Sequence, residues 1–340
     1  MKTTTKISVL LLLLCLISCN KDEYEDIVID NPEIELGIPT SFPEWNSAAL
    51  KNKPTKYGVE LGEKLFTDPR LSKDNTISCS SCHIQESAYA DHHAQAIGVE
   101  GRVGLRNASP IQNLLFMKYY NWDGSKLQLE NQPIVPIITH EEMNSSIVEV
   151  LDKIGTDIEY KKLFKKAYGD ESMTPERIYK SIAQYEYTLI SADSKYDRVQ
   201  LGQEEFTSQE AYGYRVFTQK CSSCHSGALF TDQSFRNIGF PINLDSNEAG
   251  RARVTGNLKD YMSFRVPSLR NIEYTAPYGS FGQFSSLKEV LDYFDRGVLD
   301  ADNLDPILKE ANNRIALSEE EKEALIAFMS TLSDSKFIGK

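Results

Sequence analysis

Four of the six cysteines in the 340-residue chain lie in two identical pentapeptides, Cys79-Ser80-Ser81-Cys82-His83 and Cys221-Ser222-Ser223-Cys224-His225. Two thiols separated by two residues can reach both vinyl groups of one porphyrin as thioethers. A histidine directly after the second thiol can then turn its imidazole under the iron. Two copies predict two covalently attached c-type haems, with His83 and His225 as iron ligands. A zinc site made from all four cysteines, or a pair of thioredoxin-like redox motifs, would use the same thiols. Neither requires a histidine after each pair.

The elements that must position these motifs read as helices. Thr55 to Phe66 places Tyr57, Leu61 and Leu65 on one stripe and stops at Asp68-Pro69. Further helices are expected over Ser146–Ile154, Asp157–Tyr168 and Thr174–Ile190, the last opened by Pro175. Ser208 is expected to cap a helix carrying Tyr212, Val216 and Phe217 that delivers Cys221. Ser286 with Glu289, and Ser318 with Glu321, form capping-box patterns before apolar runs, and Gly297 stops the first of these. Residues 90–110 and 230–285 read as loop, and strand signals are few. Gly98, Gly101 and Gly104 are loop glycines whose spacing is no nucleotide fingerprint. Each half therefore reads helix, haem motif, long loop, helices. The expected fold is mainly α: two cytochrome c-like haem domains, each a few helices with long loops around one haem. The boundaries are 41–195 and 196–340, with the polar stretch Ser191–Thr207 at the junction.

Residues 1–19 read as a targeting segment. Lys2 and Lys6 precede an apolar run, Ile7 to Ile17, that is short for a bilayer span. It ends Leu16-Ile17-Ser18-Cys19, a lipoprotein-type cleavage box, so Cys19 is the expected lipidated N-terminus on the periplasmic side of a bacterial membrane. An ordinary secretory signal with an incidental cysteine is the alternative. Cys15 leaves with the leader, so no cysteine remains for a disulfide. Export agrees with haem attachment outside the cytoplasm. Residues 20–40, acidic and broken by Pro32 and Pro39, read as a tether, with a strand at Ile27-Val28-Ile29 as the weaker reading. With 37 basic against 49 acidic residues the formal charge is −12, and loss of Lys2 and Lys6 makes it −14. That argues against nucleic acid or an anionic membrane surface as partner. It suits a basic electron donor and equally a chain that is simply well solvated. Seventeen tyrosines and fifteen phenylalanines suit the apolar faces of buried porphyrins.

From about Tyr57 to Leu332 the sequence resembles the bacterial di-haem cytochrome c peroxidases, a family that includes the MauG-like enzymes. The resemblance rests on Arg106-Asn107-Ala108-Ser109-Pro110, Trp122-Asp123-Gly124, Leu129-Glu130-Asn131-Gln132, Glu142-Met143, Phe264-Arg265-Val266-Pro267-Ser268-Leu269-Arg270-Asn271 and Thr275-Ala276-Pro277-Tyr278, in that order. It implies that the N-terminal haem meets hydrogen peroxide and the C-terminal haem takes electrons from a small protein, such as a monohaem cytochrome c or a cupredoxin. It implies Glu142 as general base and then general acid, with Glu141 as the competing carboxylate. Gln132 would orient peroxide and Trp122 would lie between the haems. The Asn107 side chain and the Thr275 and Pro277 carbonyls would hold a calcium ion, for which oxygen donors are suited. Homodimers also fit the resemblance.

The sequence departs from the family in three places. Many of these peroxidases carry a histidine in the glycine loop that closes the catalytic iron in the resting enzyme. Here the position falls on Val99, which cannot bind iron, so the oxidised N-terminal haem is expected to be open and high-spin. His92 or His93 would be the substitutes if it is not, and both otherwise read as exposed loop residues. His140 reads as surface or supporting. The family's methionine or tyrosine ligand to the second haem falls on Phe294, with Tyr293 beside it and Met262 in the preceding loop. The family's His-Asp pair after Pro-Tyr is replaced by Ser280-Phe281.

Overall fold

The computed structural model describes residues 30–241 and 248–340. The leader, Cys15, Cys19 and the Ile27–Ile29 strand reading lie outside the described residues. Among the described residues helices dominate: α1 (Lys56–Thr67), α2 (Cys79–Cys82), α3 (Ile134–Ile138), α4 (Ile147–Ile154), α5 (Ile158–Tyr168), α6 (Pro175–Tyr187), α7 (Lys195–Gln200), α8 (Ser208–Lys220), α9 (Ala252–Thr255), α10 (Leu287–Arg296), α11 (Pro306–Glu310) and α12 (Glu319–Ser330). The one sheet among the described residues is a two-residue antiparallel pair, β1 (Phe235–Arg236) with β2 (Phe264–Arg265). The chain is mainly α with long loops.

Apolar packing falls into two large clusters. One gathers Leu61, Leu65 and Phe66 of α1, Phe164 of α5 and Ile178, Ile182 and Tyr187 of α6. The other gathers Val216 and Phe217 of α8, Leu291 of α10 and Leu325, Phe328 and Leu332 in and after α12. In each, two helices cross where a glycine lets backbones touch. A Cβ at Gly62 of α1 would lie 1.9 Å from the Ser181 carbonyl oxygen of α6, and one at Gly213 of α8 would lie 1.9 Å from that of Ala324 in α12. Removing the side chain is the direct way for two helices to approach that closely.

The helix ends follow local chemistry, with corrections. Thr207, not Ser208, caps α8, and it forms a capping box with Glu210. Ser286 does cap α10 by accepting the Glu289 amide, but the Glu289 carboxylate turns to the Ser285 amide at 2.6 Å, so the expected box is not closed. Ser318 and Glu321 close theirs. The last N-terminal-half helix stops at Tyr187 rather than Ile190.

The acidic stretch read as a tether to residue 40 is docked over its described end. Asn31 accepts the Tyr57 amide and donates to Thr55 and to the Ala167 carbonyl, and the Ile34 amide donates to the Pro54 carbonyl. The start of the junction 191–207 is polar because its groups are hydrogen-bonded, whereas its end, Gln200 to Gln203 with Glu205 and Thr207, is exposed. Ser191 and Ser194 are fully buried, and the Asp334 carboxylate accepts from the Ala192 and Asp193 amides at 3.0 Å. Phe337, three residues on, packs its ring on Tyr89, so the C-terminal tail crosses back onto the first half.

Candidate active site

The first haem motif is one helical turn, capped by Ser78 and Ser81. His83 donates from Nδ1 to the Tyr89 carbonyl at 2.9 Å. In the second motif, His225 meets the Phe230 carbonyl in the same way at 3.1 Å. Both accepting residues are aromatic and adopt left-handed backbone, φ 58° at Tyr89 and 53° at Phe230. That conformation is costly for a bulky side chain, and here it turns a carbonyl toward an imidazole. Burial lowers the pKa of both histidines, against the carbonyl contacts, which raise it. Burial thus favours neutral rings, and with Nδ1 donating to Tyr89 the Nε2 of His83 carries the lone pair an iron ligand needs, while His225 also meets the Pro267 backbone. The sequence reading missed Tyr89 and Phe230; the available signal was an aromatic residue five or six places after each histidine.

The four cysteines are unpaired. Burial pushes the Cys82 and Cys221 thiols up to about 12 and also raises Cys79 and Cys224. Among the described residues the four sulfurs do not converge on one point. A zinc site needs convergent thiolates, so that alternative is set aside. Arg265 adds an independent sign of a missing anion. It is 8% exposed, its Nε has no partner, and burial lowers its pKa to about 10. A haem propionate is the carboxylate such a guanidinium fits. The residues present therefore suit two bound haems.

Glu142 stands on the turn after α3, and Gln132 lies just before the same helix, so five helical residues separate the two elements. The Glu142 turn is anchored by Met143, which is buried and whose amide donates to the Pro136 carbonyl. The glycine loop packs directly on it. The Val99 amide donates to the Glu142 carbonyl at 2.8 Å, and a Cβ at Gly98 would lie 2.2 Å from the Glu141 carbonyl oxygen and 2.4 Å from that of Glu142. Desolvation raises the Glu142 pKa, and Glu141 adds to it. Glu142 also acts electrostatically on Cys82, which puts it at the first haem motif. Glu141 is exposed. The Gln132 side-chain amide donates to Asn121 at 3.4 Å.

Trp122 joins the halves. Its indole N–H donates to the Asn107 carbonyl at 2.9 Å, and its own carbonyl accepts the Arg265 amide at 2.8 Å. Asn107 is buried, and its backbone amide donates to the Ser280 carbonyl at 3.0 Å. The first-half asparagine therefore meets the loop that carries Thr275 and Pro277. Ser280 Oγ is buried there without a partner, so an extra oxygen lies in a region that suits an oxygen-seeking cation.

The remaining candidates separate. His140 is exposed, between Arg102 and Asn144. His92 and His93 are exposed, with His93 Nδ1 2.8 Å from Asp91 Oδ1. Of the residues considered as ligands to the second haem, Tyr293 is engaged, its hydroxyl directed at the Ile238 and Gly239 carbonyls. Phe294 packs with Val298, Leu304 and Leu308. Met262 is buried and lines a cavity of about 770 Å³ with Asn237, Phe240 and Tyr261.

Comparison with known proteins agrees with this geometry. The family model described as di-haem cytochrome c peroxidase matches residues 56–205. The methylamine utilization protein MauG of Methylorubrum extorquens is 35% identical over 297 residues, 85% of this chain and 82% of that one. The cytochrome c551 peroxidase of Nitrosomonas europaea is 34% identical over 280 residues, covering 81% and 79%. Among solved structures, a MauG-like protein associated with microbial copper homeostasis superposes with a TM-score of 0.80 at 29% identity, over 90% of this chain and 97% of that one. The di-haem peroxidase BthA of Burkholderia thailandensis shares the fold, with a TM-score of 0.74 at 21% identity over 91% and 94%.

Proposed function

The chain belongs to the di-haem cytochrome c peroxidase family and is an oxidoreductase, and we propose that it reduces hydrogen peroxide to water with electrons from a small redox protein. Peroxide, two electrons and two protons give two waters. The single observation that carries this reading is the partly buried Glu142 carboxylate beside the first haem motif, backed by the Gly98–Val99 loop.

Cys79, Cys82 and His83 would hold the peroxidatic haem, and Cys221, Cys224 and His225 the electron-receiving one. When bound, the haems supply the redox equivalents for O–O cleavage. Glu142 then takes the proton from the near peroxide oxygen and returns it to the far one, so that water leaves. Its raised pKa suits a group that must do both. Gln132 orients the peroxide. Trp122, hydrogen-bonded to both halves, suits an intermediary for electron transfer. Asn107 with the Thr275 and Pro277 carbonyls would bind calcium and hold the halves in register.

Val99 supports a vacant N-terminal coordination face in the resting enzyme. The same feature favours a second reading, a MauG-like oxidase that draws electrons from a protein residue, although Phe294 offers no ligand tyrosine. The sequence of residues 1–19 supports a periplasmic lipoprotein anchored at Cys19, with 41–195 and 196–340 as the two haem domains.

The deciding experiment is steady-state peroxide reduction by the haem-loaded protein with a reduced monohaem cytochrome. Glu142→Ala should lower turnover at least ~10²-fold, the scale of lost general acid–base help. Unchanged turnover would reduce the chain to an electron carrier or move the proton chemistry elsewhere.

A further inference from the structure

The loop after the first haem motif carries a cluster that the peroxidase chemistry does not use. Asp91, His92 and His93 each present one donor atom, and these atoms lie within 4.8 Å of one another. Asp91 is 1% exposed, and its Oδ2 is buried without a hydrogen-bond partner. Its Oδ1 accepts the His93 amide at 2.9 Å and lies 2.8 Å from His93 Nδ1 and 4.0 Å from His92 Nδ1. The two imidazoles are about half exposed or more, 61% and 50%, and their ring centroids are 4.2 Å apart. A buried carboxylate with an unmet oxygen thus sits under two solvent-facing imidazoles.

We propose that Asp91, His92 and His93 form a surface site for a divalent transition metal, zinc or copper in class, distinct from both irons and from the calcium position. Two nitrogens and one carboxylate oxygen suit these ions, whereas calcium and magnesium prefer oxygen alone. Three protein ligands on an exposed loop leave a position open to solvent.

The site is wired to both halves. The Asn107 side-chain amide donates to the His93 carbonyl at 2.9 Å. A Cβ on Gly282, in the second half, would lie 2.4 Å from Ala94 Cα. Asp91 also acts electrostatically on His83. A dication held by Asp91 therefore offsets a negative charge that acts on the first haem's proximal histidine. It disfavours the oxidised iron and raises that haem's midpoint potential.

The test uses the haem-loaded protein in calcium-containing buffer. Zinc titrated by calorimetry, with metal content measured after desalting, should show one equivalent bound. His92→Ala/His93→Ala should lose it while keeping both haem spectra and the melting temperature. Zinc should raise the N-terminal haem's midpoint potential in the native protein and leave it unmoved in the double variant. Copper(II) added to native protein should give an EPR signal with nitrogen couplings, a readout that needs no variant. Zinc uptake equal in both proteins, or a copper signal without nitrogen, overturns the proposal. In that case Asp91 and His93 form only a hydrogen-bonded turn.

Discussion

The two halves carry the same five-residue motif, the same imidazole-to-carbonyl contact and the same glycine-mediated helix crossing, yet the charges near their cysteines differ: carboxylates act on Cys82, whereas a guanidinium paired to two carboxylates stands near Cys224. In the first half Glu142 and Asp91 both act on Cys82, and a backbone-tight glycine loop presses on the glutamate turn. In the second, Cys224 lies near Arg236, which is itself paired to Asp232 at 2.6 Å and Asp305 at 2.7 Å, and the partnerless Arg265 is close in sequence to Pro267, whose backbone meets His225. A motif that attaches a cofactor does not say what the cofactor does. On the proposed function, the partly buried Glu142 carboxylate can move protons at the first site, whereas the ion-paired Arg236 near Cys224 offers no such group at the second.

The contrast can be broken most severely at Gly98. In Gly98→Val the new side chain meets two carbonyl oxygens, so the Glu142 turn must move. A displacement of about 1 Å at a catalytic group costs on the order of 10²-fold in rate. Peroxide turnover should fall by that order while the C-terminal haem keeps its spectrum; loss of both haem spectra would show instead that the loop supports the whole fold. Val99→His sharpens the same contrast. An imidazole beside Glu142 should convert the oxidised N-terminal haem from high-spin to low-spin by EPR and slow turnover until the other haem is reduced. A high-spin variant would mean that residue 99 does not face the iron.

The shared features should respond alike. Gly62→Ala and Gly213→Ala each force apart a helix pair and should each destabilise their half by about 1–3 kcal/mol, the usual cost of overpacking, read from thermal melts of the haem-loaded protein. A marked inequality would show that the two crossings are not equivalent. The last effect is read only against pH and concerns Glu186, a buried acid of the first half whose pKa is pushed up to about 8, by desolvation first and then by Glu130. The folded state holds this proton more tightly than the unfolded chain does. The contribution of Glu186 to stability is therefore greatest below its ordinary pKa of 4.5 and declines as pH rises toward about 8. Glu186→Gln should flatten that decline, so the variant should gain on the native protein between pH 5 and 8 (approximate limits). Parallel melting curves across that range would show that Glu186 does not titrate there.

Covalent and local features were legible in the sequence. Haem attachment depends on residues adjacent along the chain, and helix starts such as Thr174 and Ser318 are set by a side chain reaching an amide three residues on. The tertiary structure decided what depends on distant residues meeting. Gly98 reads as an ordinary loop glycine until the Glu142 turn, more than forty residues away, is packed against it. The polar stretch 191–207 reads as a linker until Asp334 returns to accept the amides of Ala192 and Asp193 at its start. Tyr89 and Phe230 carry no reading in the sequence, and only their left-handed backbone reveals their carbonyls as the acceptors that fix each imidazole. Asp91, His92 and His93 are neighbours in any reading of the sequence. That the aspartate is buried with an oxygen unmet while both histidines stay open follows only from how the two halves close around that loop. Attachment chemistry is written in neighbouring residues, whereas desolvation and charge balance arise from long-range contacts that residue spacing does not record.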